Sequence, residues 1–307
     1  MYELWIVITA ALTAVSCALV GSLLILRRMA MLGDAISHSV LLGIVISYLL
    51  FDTLALPALL LGALLAGLLT AWLSTAISQR SIIQPDASLG LVFIWMFALA
   101  LVLIALFADR VHLDHHHVVF GEMAFLPFER WRWLDYDLGP RAFWIALALF
   151  GLNLSLLILA FDRLQLTSFA PGFALSLGVS VGFWHYLLVS LVSVTAVAAF
   201  DLMGSILVVA FLVIPGATAY LISQRLKPLL WLASIYAIAA VILGFGVAWW
   251  LDTALSAAMA FMSGLLFVLT LLIQRIRQIQ QSKLPHHFSL NQLDTREAKH
   301  IHNRKHD

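Results

Sequence analysis

Residues 88–107 read SLGLVFIWMFALALVLIALF, an apolar run that contains no charged residue. A second uncharged run, SILVVAFLVIPGATAYLI, occupies residues 205–222. An α-helix needs about 20 consecutive apolar residues to cross the roughly 30 Å hydrocarbon core of a bilayer, and both runs are close to that length. They therefore predict helices that span a membrane.

The composition of the whole chain supports the same interpretation. Hydrophobic residues make up 63% of the 307 residues, charged residues make up only 11%, and the mean hydropathy is +1.02. A soluble domain carries about 25% charged residues. The net charge of +1 says little about partners, because the charges lie between the apolar runs. No nucleic-acid partner is expected. Cys17 is the only cysteine, which excludes a disulfide within the chain.

Apolar segments predict about nine spans, and a count of eight to ten fits the same pattern. The predicted fold is therefore all-α, a polytopic membrane protein. A further apolar stretch, Val118–Phe128, is too short to span and is expected to be re-entrant or interfacial. The predicted spans are residues 4–26, 33–51, 54–78, 88–108, 142–161, 183–200, 204–222, 229–250 and 254–273.

Basic residues between the spans predict the orientation, because short cytoplasmic loops carry an excess of Lys and Arg. Arg27, Arg80 and Arg163 follow the first, third and fifth predicted spans and so fall on one side. This places the N-terminus outside and the C-terminus in the cytoplasm. Residues 1–273 are predicted to form the transmembrane domain, and residues 274–307, which are rich in His, Lys and Arg, a cytoplasmic tail.

The first candidate site is a pair of ionisable residues inside a predicted span, Asp34 and His38. Residues four apart lie on one face of a helix, one turn from each other. Ionisable groups in a membrane segment are costly unless they are paired, hydrated or bound to metal. A carboxylate oxygen and an imidazole nitrogen suit Zn²⁺, Mn²⁺ or Fe²⁺. Two ligands are too few for tight binding, so a second copy or another helix would have to supply the rest.

Two other interpretations of this pair stay open at this point. Asp34 and His38 could form a hydrogen bond that closes a helix contact or caps a helix start. They could also act as the proton relay of an ion-coupled secondary metal carrier, which uses the same residue types.

The second candidate is a histidine-rich segment that the predicted topology places on the outer side. Neighbouring imidazoles attract a divalent cation and release it when they are protonated near the histidine pKa. The alternative is a solvated loop whose histidines bind nothing. The residues of this outer capture hypothesis are His112, Asp114, His115, His116, His117 and Glu122.

Several sequence features bear on energy coupling. The chain contains no Gly-x-x-x-x-Gly-Lys-Ser/Thr phosphate loop, no nucleophile elbow and no HExxH motif, so we expect a transport subunit rather than an enzyme. If transport is driven by ATP, a separate polypeptide has to supply the ATPase. In addition, Pro215 followed by Gly216 predicts that the helix at 205–222 is kinked or broken there.

Four motifs resemble a known family, the zinc, manganese and iron permeases of ABC transporters. Residues 26–38, LRRMAMLGDAISH, look like the family signature. Val119-Phe120-Gly121 is similar to its Leu-Phe-Gly element. Residues 168–178 resemble its cytoplasmic loop, and residues 204–219 resemble its late-helix motif. The resemblance covers roughly residues 5–273.

The resemblance implies a permease with the fold of a type II ABC importer in a bacterial cytoplasmic (inner) membrane. It implies a second permease subunit, either a second copy or a paralogue, two ABC ATPase subunits and an extracytoplasmic metal-binding protein. A divalent metal would be the cargo, with ATP bound by the partner subunits and no permanently bound cofactor. Asp34 and His38 would correspond to metal ligands of the pathway. The loop that couples to the ATPase would comprise Ser168, Phe169, Ala170, Pro171, Gly172, Phe173, Ala174, Leu177 and Gly178.

This loop also departs from the family pattern. Where the usual sequence is Phe-Asp-Pro-Glu, Ala170 and Gly172 replace both acidic residues. The lost aspartate would cap the short helix, and an alanine at such a position costs about 1 kcal/mol. The departure therefore concerns the match to a partner ATPase more than the fold.

The two interpretations of the histidine-rich segment predict different results for the His115–His117 deletion. Capture of metal predicts slower uptake at low metal concentration, where imidazole ligands raise the local metal concentration. The measurement is uptake by the reconstituted transporter over a range of metal concentrations. Unchanged uptake at the lowest concentrations would favour the solvated loop.

Overall fold

A computed structural model describes residues 2–52, 56–107, 130–133 and 136–282 of the chain. Nine helices in this described part are long and apolar enough to cross a membrane, which confirms the predicted all-α polytopic fold. The elements are α1 (Tyr2–Leu26), α2 (Ala30–Phe51), α3 (Leu56–Arg80), α4 (Pro85–Leu106), β1 (Arg130–Trp133), β2 (Tyr136–Pro140), α5 (Arg141–Leu159), α6 (Phe161–Phe169), α7 (Pro171–Ser176), α8 (Val181–Met203), α9 (Ser205–Ile222), α10 (Leu226–Leu251) and α11 (Leu255–Ser282).

Helix α1 is the central helix of the bundle. It packs against α5, α8, α9 and α10, and its small residues, such as Ala10, Ala14 and Ala18, are fully buried. A helix that is apolar on every side is expected to be buried on every side. Its buried hydroxyls do not disturb this packing, because Thr13 and Ser22 donate hydrogen bonds to the carbonyls four residues earlier in the same helix.

Glycines allow the helix backbones to approach each other closely. A Cβ at Gly21 of α1 would overlap the carbonyl oxygen of Leu212 in α9, and a Cβ at Gly43 of α2 would overlap the carbonyl of Gly62 in α3. Lipid tails are as apolar as leucine, so helices in a bilayer associate through close packing rather than through the hydrophobic effect. These two crossings therefore hold the bundle together where a larger residue would separate it.

Helices α5 and α8 are joined by a buried polar pair. The Asn153 amide donates to the hydroxyl of Thr195 at 3.1 Å, and both residues are fully buried. Thr195 also donates to the carbonyl of Leu191 at 2.7 Å. Polar side chains in hydrocarbon have to find protein partners, and this pair satisfies that requirement across two helices.

The short hairpin of β1 and β2 precedes α5 and was not predicted from the sequence. The two strands are antiparallel, with Arg132 opposite Asp137 and Trp133 opposite Tyr136. The alternating Arg-Trp-Arg-Trp of residues 130–133 is a strand signal. It was overlooked because every other prediction for the chain concerned spans.

The predicted break at Pro215 and Gly216 is absent, because α9 runs without interruption from Ser205 to Ile222 with Pro215 inside it. A proline removes only one hydrogen bond of the helix, and both residues are buried in the bundle. The space beside Gly216 is filled by Ser22 and Ile25 of α1, so packing holds the helix on both sides of the proline. A kink at this position stays a prediction.

The C-terminal part of the chain is helical beyond the predicted end of the last span. Helix α11 continues to Ser282, whereas the span was predicted to end at residue 273. Contacts group residues 1–268 into one unit and residues 269–307 into another. Residues 283–307 lie outside the described part, so the tail of residues 274–307 stays a prediction.

The close contact at Gly21 predicts that Gly21→Ala destabilises the folded bundle. A methyl group there would overlap the backbone of α9, and overpacking of this kind costs about 1–3 kcal/mol. The measurement is the thermal stability of the purified protein in detergent. Gly246→Ala in α10 is the matched control, since a Cβ there meets nothing within 4 Å, and equal stability of the two variants would contradict the packing account.

Candidate metal site

A sharp turn between α1 and α2 positions the candidate ligands. Helix α1 ends in a Schellman motif, in which the Met29 amide donates to the Leu24 carbonyl and the Arg28 amide to that of Ile25. Arg28 takes the left-handed conformation of this motif, with φ 57°. Helix α2 begins at Ala30, directly after the turn. Asp34 therefore lies on the second turn of a helix whose start is fixed.

Asp34 and His38 face each other across one turn of α2. The distance between Asp34 Oδ1 and His38 Nε2 is 3.5 Å, and the side chains are 34% and 47% exposed. The Ser37 hydroxyl does not donate a hydrogen bond to either residue, because it donates to the Gly33 carbonyl at 2.7 Å. The sequence prediction that both groups share one helix face is thus matched by the geometry.

Two aromatic rings of α4 hold the His38 imidazole. The Phe93 ring is stacked on it with centroids 5.5 Å apart, and the Phe97 ring meets it edge-on at 5.6 Å. Phe93 and Phe97 are four residues apart and so lie on the same face of their helix. These two contacts restrict the rotation of the imidazole.

The pair provides only part of a metal shell. Within the described residues, no group of three or more His, Cys, Asp or Glu side chains could hold a metal ion. Metal sites in proteins usually have at least three protein ligands. An ion bound here would need further ligands from outside the described residues.

The predicted coupling loop, residues 168–178, comprises the end of α6 and all of α7, which are joined at Ala170. The Ala170 side chain makes no capping bond to α7, as expected from the missing aspartate. After Ser176 the chain leaves α7 through Gly178, which has φ 74°. The amide of Val179 donates to the Ala174 carbonyl at 2.9 Å, so α7 also ends in a Schellman motif.

Large apolar side chains project from this loop into the surroundings. Phe173 is 60% exposed and Leu177 is 58% exposed, whereas Ala174 between them is fully buried. Helix α7 is thus fixed to the bundle on one side. On its other side it presents an apolar surface, which we call the α7 surface: Phe169, Phe173, Leu175 and Leu177.

Not every predicted site residue can be placed. The segment from His112 to His117 and Glu122 lies in residues 108–129, outside the described part. Pro215 and Gly216 lie in α9, and Leu212 of that helix packs close to Gly33, next to Asp34. The outer capture hypothesis therefore stays a prediction.

The sequence analysis missed two features of the site. The first is the contact of Phe93 and Phe97 with His38, which their four-residue spacing alone could not assign to a partner. The second is Arg27, whose guanidinium donates hydrogen bonds to Ser168 Oγ at 3.0 Å and Thr167 Oγ1 at 2.9 Å. Contacts between residues this distant in the chain leave no periodic signal in a single sequence.

Comparisons with known proteins agree with this architecture. The chain is 38% identical over 283 residues to the manganese transport system membrane protein MntD of Bacillus subtilis, covering 92% of this chain and 96% of MntD. It is 39% identical over 267 residues to the zinc transport system membrane protein TroD of Treponema pallidum, covering 87% and 72%. The structure resembles PsaBC from Streptococcus pneumoniae in complex with Fab, with a TM-score of 0.73, 31% identity and coverage of 90% of this chain and 94% of that chain.

The sequence profile of the ABC 3 transport family matches residues 1–274. In the described part of the chain, this match covers eight of the nine helices that are able to span a membrane and most of the ninth, Leu255–Gln280. The chain is a multi-pass membrane protein and belongs to the ABC 3 transport family.

Proposed function

We propose that this chain is the permease of an ATP-driven importer of divalent metal ions, in which Asp34 and His38 are metal ligands on the transport path. The observation that carries the proposal is the half-exposed Asp34–His38 pair in an otherwise apolar span, with Nε2 and Oδ1 3.5 Å apart. The names of relatives that transport manganese and zinc support a divalent cargo. Membership of an ABC transporter family speaks against the secondary carrier.

The exposure of the pair supports a second permease subunit. Asp34 lies about 6 Å and His38 about 12 Å beyond the first residue of α2, at 1.5 Å per residue. A charged residue facing lipid at the helix centre costs about 2.5–3.5 kcal/mol on insertion scales, so this face has to meet protein or water. Placing two copies with these faces together would bring two carboxylates and two imidazoles around one ion.

An ion held in this way could be both bound and released. Four O and N ligands suit Zn²⁺, Mn²⁺ and Fe²⁺ alike. Because each subunit supplies only two of them, a small separation of the subunits removes half of the shell. Transport needs a site that is favourable enough to enter and weak enough to leave, and a site shared between two subunits meets both conditions.

The α7 surface supports an ATPase partner. Contiguous exposed apolar residues mark sites of protein interaction, and Phe169, Phe173 and Leu177 follow each other along one short segment. The hydrogen bonds from Arg27 join this segment to the α1–α2 turn. These bonds support placing the segment and the turn on the same side of the membrane, the side predicted to be cytoplasmic. We therefore place two ATPase subunits there, one on each permease.

The resemblance to metal importers also implies an extracytoplasmic metal-binding protein that delivers the ion from the other side. ATP binding and hydrolysis would then alternate the opening of the pathway between the two sides. The chain contains no Gly-x-x-x-x-Gly-Lys-Ser/Thr phosphate loop, so this proposal assigns the nucleotide to the ATPase subunits. In this proposal the permease changes conformation in response to the ATPase and does not itself hydrolyse ATP.

Asp34→Asn and His38→Gln are both expected to slow metal uptake by the reconstituted complex of permease and ATPase. Loss of an outer-shell partner already lowers metal affinity by roughly 10- to 100-fold, and loss of a direct ligand should cost at least as much. Uptake of radioactive manganese and zinc into proteoliposomes measures the effect.

Asp52→Asn provides the matched control for these variants. Asp52 lies at the opposite end of the same helix and has φ 48°, a conformation that asparagine also tolerates. The control should transport as the wild type does. Normal uptake by both Asp34→Asn and His38→Gln would remove the basis of the metal site.

Replacing apolar residues of the α7 surface is expected to weaken binding of the ATPase. Phe173→Ser combined with Leu177→Ser removes two exposed side chains, and truncation of interface anchors typically costs about 2 kcal/mol or more, roughly thirtyfold in affinity. Binding of the purified ATPase to the permease in nanodiscs measures the change. Ile82→Ser, which alters a fully exposed apolar residue between α3 and α4, should leave the affinity unchanged, and equal binding by all the variants would argue against the α7 surface as the docking site.

A further inference from the structure

One arginine contacts both ends of the loop that carries α7. Arg27 Nε donates to Ser168 Oγ at 3.0 Å, and Nη2 donates to Thr167 Oγ1 at 2.9 Å. Its third nitrogen, Nη1, donates to the main-chain carbonyl of Trp184 at 3.5 Å. Thr167 and Ser168 precede α7, and Trp184 follows it at the start of α8. A single guanidinium therefore joins the two ends of the loop to each other and to the α1–α2 turn.

The charge of Arg27 is partly buried among neutral acceptors. Burial lowers the pKa of Arg27 to about 10, so the guanidinium is still protonated at neutral pH. In the described part of the chain, no carboxylate forms an ion pair with it. A buried charge without an opposite charge is costly, and apolar replacements of buried charged groups are often neutral or stabilising. Stability of the fold alone therefore gives no reason for an arginine at this position.

What the arginine supplies is geometry. The planar guanidinium holds several donors in a fixed arrangement, so it can bind three acceptors at once with little adjustment. A lysine would present one point charge at the end of a flexible stem. The three acceptors of Arg27 belong to two different helices, α6 and α8, while Arg27 itself belongs to the turn before α2.

Backbone hydrogen bonds connect α7 to the residues of α6 that Arg27 contacts. The Ala174 amide donates to the Ala170 carbonyl at 2.9 Å, and the Ala170 amide donates to the Leu166 carbonyl at 2.9 Å. Helices α6 and α7 are thus hydrogen-bonded to each other through Ala170. A displacement of α7 carries the last turn of α6, with Thr167 and Ser168, along with it.

A second set of backbone hydrogen bonds connects the turn that follows Arg27 to the start of α2, the helix of the candidate metal ligands Asp34 and His38. The Schellman motif at the end of α1 fixes the backbone of the turn, and the Leu32 amide donates to the Met29 carbonyl at 2.9 Å as α2 begins. Asp34 follows two residues later. Backbone hydrogen bonds thus hold the turn that follows Arg27 and the start of α2, the helix that carries Asp34.

We propose that Arg27 is a positioning residue that transmits the movement of α7 to Asp34 and His38, and so links ATP hydrolysis by the partner to the state of the metal site. This inference rests on the proposed function, because it takes α7 as the ATPase contact and the pair as the metal site. It assigns a role to a residue that touches neither the metal nor the ATPase.

A second route from α7 to the ligands exists and has to be separated from this one. Helix α7 packs against α8, and α8 packs directly against α2. Movement could pass along α8 without Arg27. The two routes differ in one respect, because only the first requires the hydrogen bonds of the guanidinium.

The test measures metal uptake and ATP hydrolysis together in proteoliposomes that contain the complete permease–ATPase complex, with Mn²⁺ or Zn²⁺ as the probe. Arg27→Gln is expected to assemble with the ATPase and to hydrolyse ATP, yet to transport roughly tenfold less metal per ATP. That loss lies inside the range of about 5- to 150-fold that is typical of coupling between two sites. Arg27→Lys, which keeps the charge but not the fork, should restore only part of the ratio.

Two further variants make the test independent of the folding of Arg27→Gln. Thr167→Val combined with Ser168→Ala removes two acceptors and leaves the arginine in place, and it should lower the ratio of metal to ATP in the same way. Arg28→Gln is the control, since Arg28 is exposed and makes none of these bonds. Its ratio should equal that of the wild type.

The outcomes separate this inference from the function on which it rests. A wild-type ratio of metal to ATP in both Arg27→Gln and the Thr167→Val, Ser168→Ala variant would overturn the role of Arg27, and the α8 route would remain. If Asp34→Asn still abolishes uptake in that case, the proposed function stands. If the wild-type complex carries none of Mn²⁺, Zn²⁺ and Fe²⁺, or if both Asp34→Asn and His38→Gln transport normally, the proposed function fails and the role of Arg27 fails with it.

Discussion

Hydrocarbon offers no hydrogen bonds, so each polar group inside the bilayer has to find its partner within protein. Most of the described chain meets this constraint locally. Hydroxyls such as those of Thr13 and Ser22 bond to the preceding turn of their own helix, and Asn153 bonds to Thr195 across two helices. Asp34 and His38 meet it only in part, because each faces the other at 3.5 Å and remains one third to one half exposed. The face of α2 that carries Asp34 and His38 therefore still needs a polar partner.

The packing of α1 connects this face to the core. Because Gly21 brings α1 against the backbone of α9, the last turns of α1 are held by a close backbone contact. The turn that follows is fixed by its Schellman motif, and α2 starts from it. A fixed α1–α2 turn suits the proposed metal site, to which each subunit would contribute only two ligands. Small errors in ligand position weaken metal binding, and here the backbone leaves little room for them.

The sequence allowed most of the architecture to be predicted. Long uncharged runs such as residues 88–107 have only one stable solution in a bilayer, so the nine spans and their order followed from composition and length. The shared face of Asp34 and His38 followed from helical periodicity. The continuous helix at Pro215 did not, because whether a proline breaks a helix depends on the packing around it. The rings beside His38 and the acceptors of Arg27 come from distant segments, and periodicity carries no information about such contacts.

The missing acidic residues of the coupling loop gain a physical meaning from these contacts. Without an aspartate at Ala170, α7 has no side-chain cap at its start, and its position depends on other interactions. Its end is closed by Gly178, its middle is anchored by the buried Ala174, and the segment before it is held by Arg27. Helix α7 is therefore held where it contacts the rest of the permease, while its uncapped first turn is able to adjust to a partner. If the proposed function holds, loss of the cap changes the surface that an ATPase would have to match, while Arg27 still joins this loop to the α1–α2 turn.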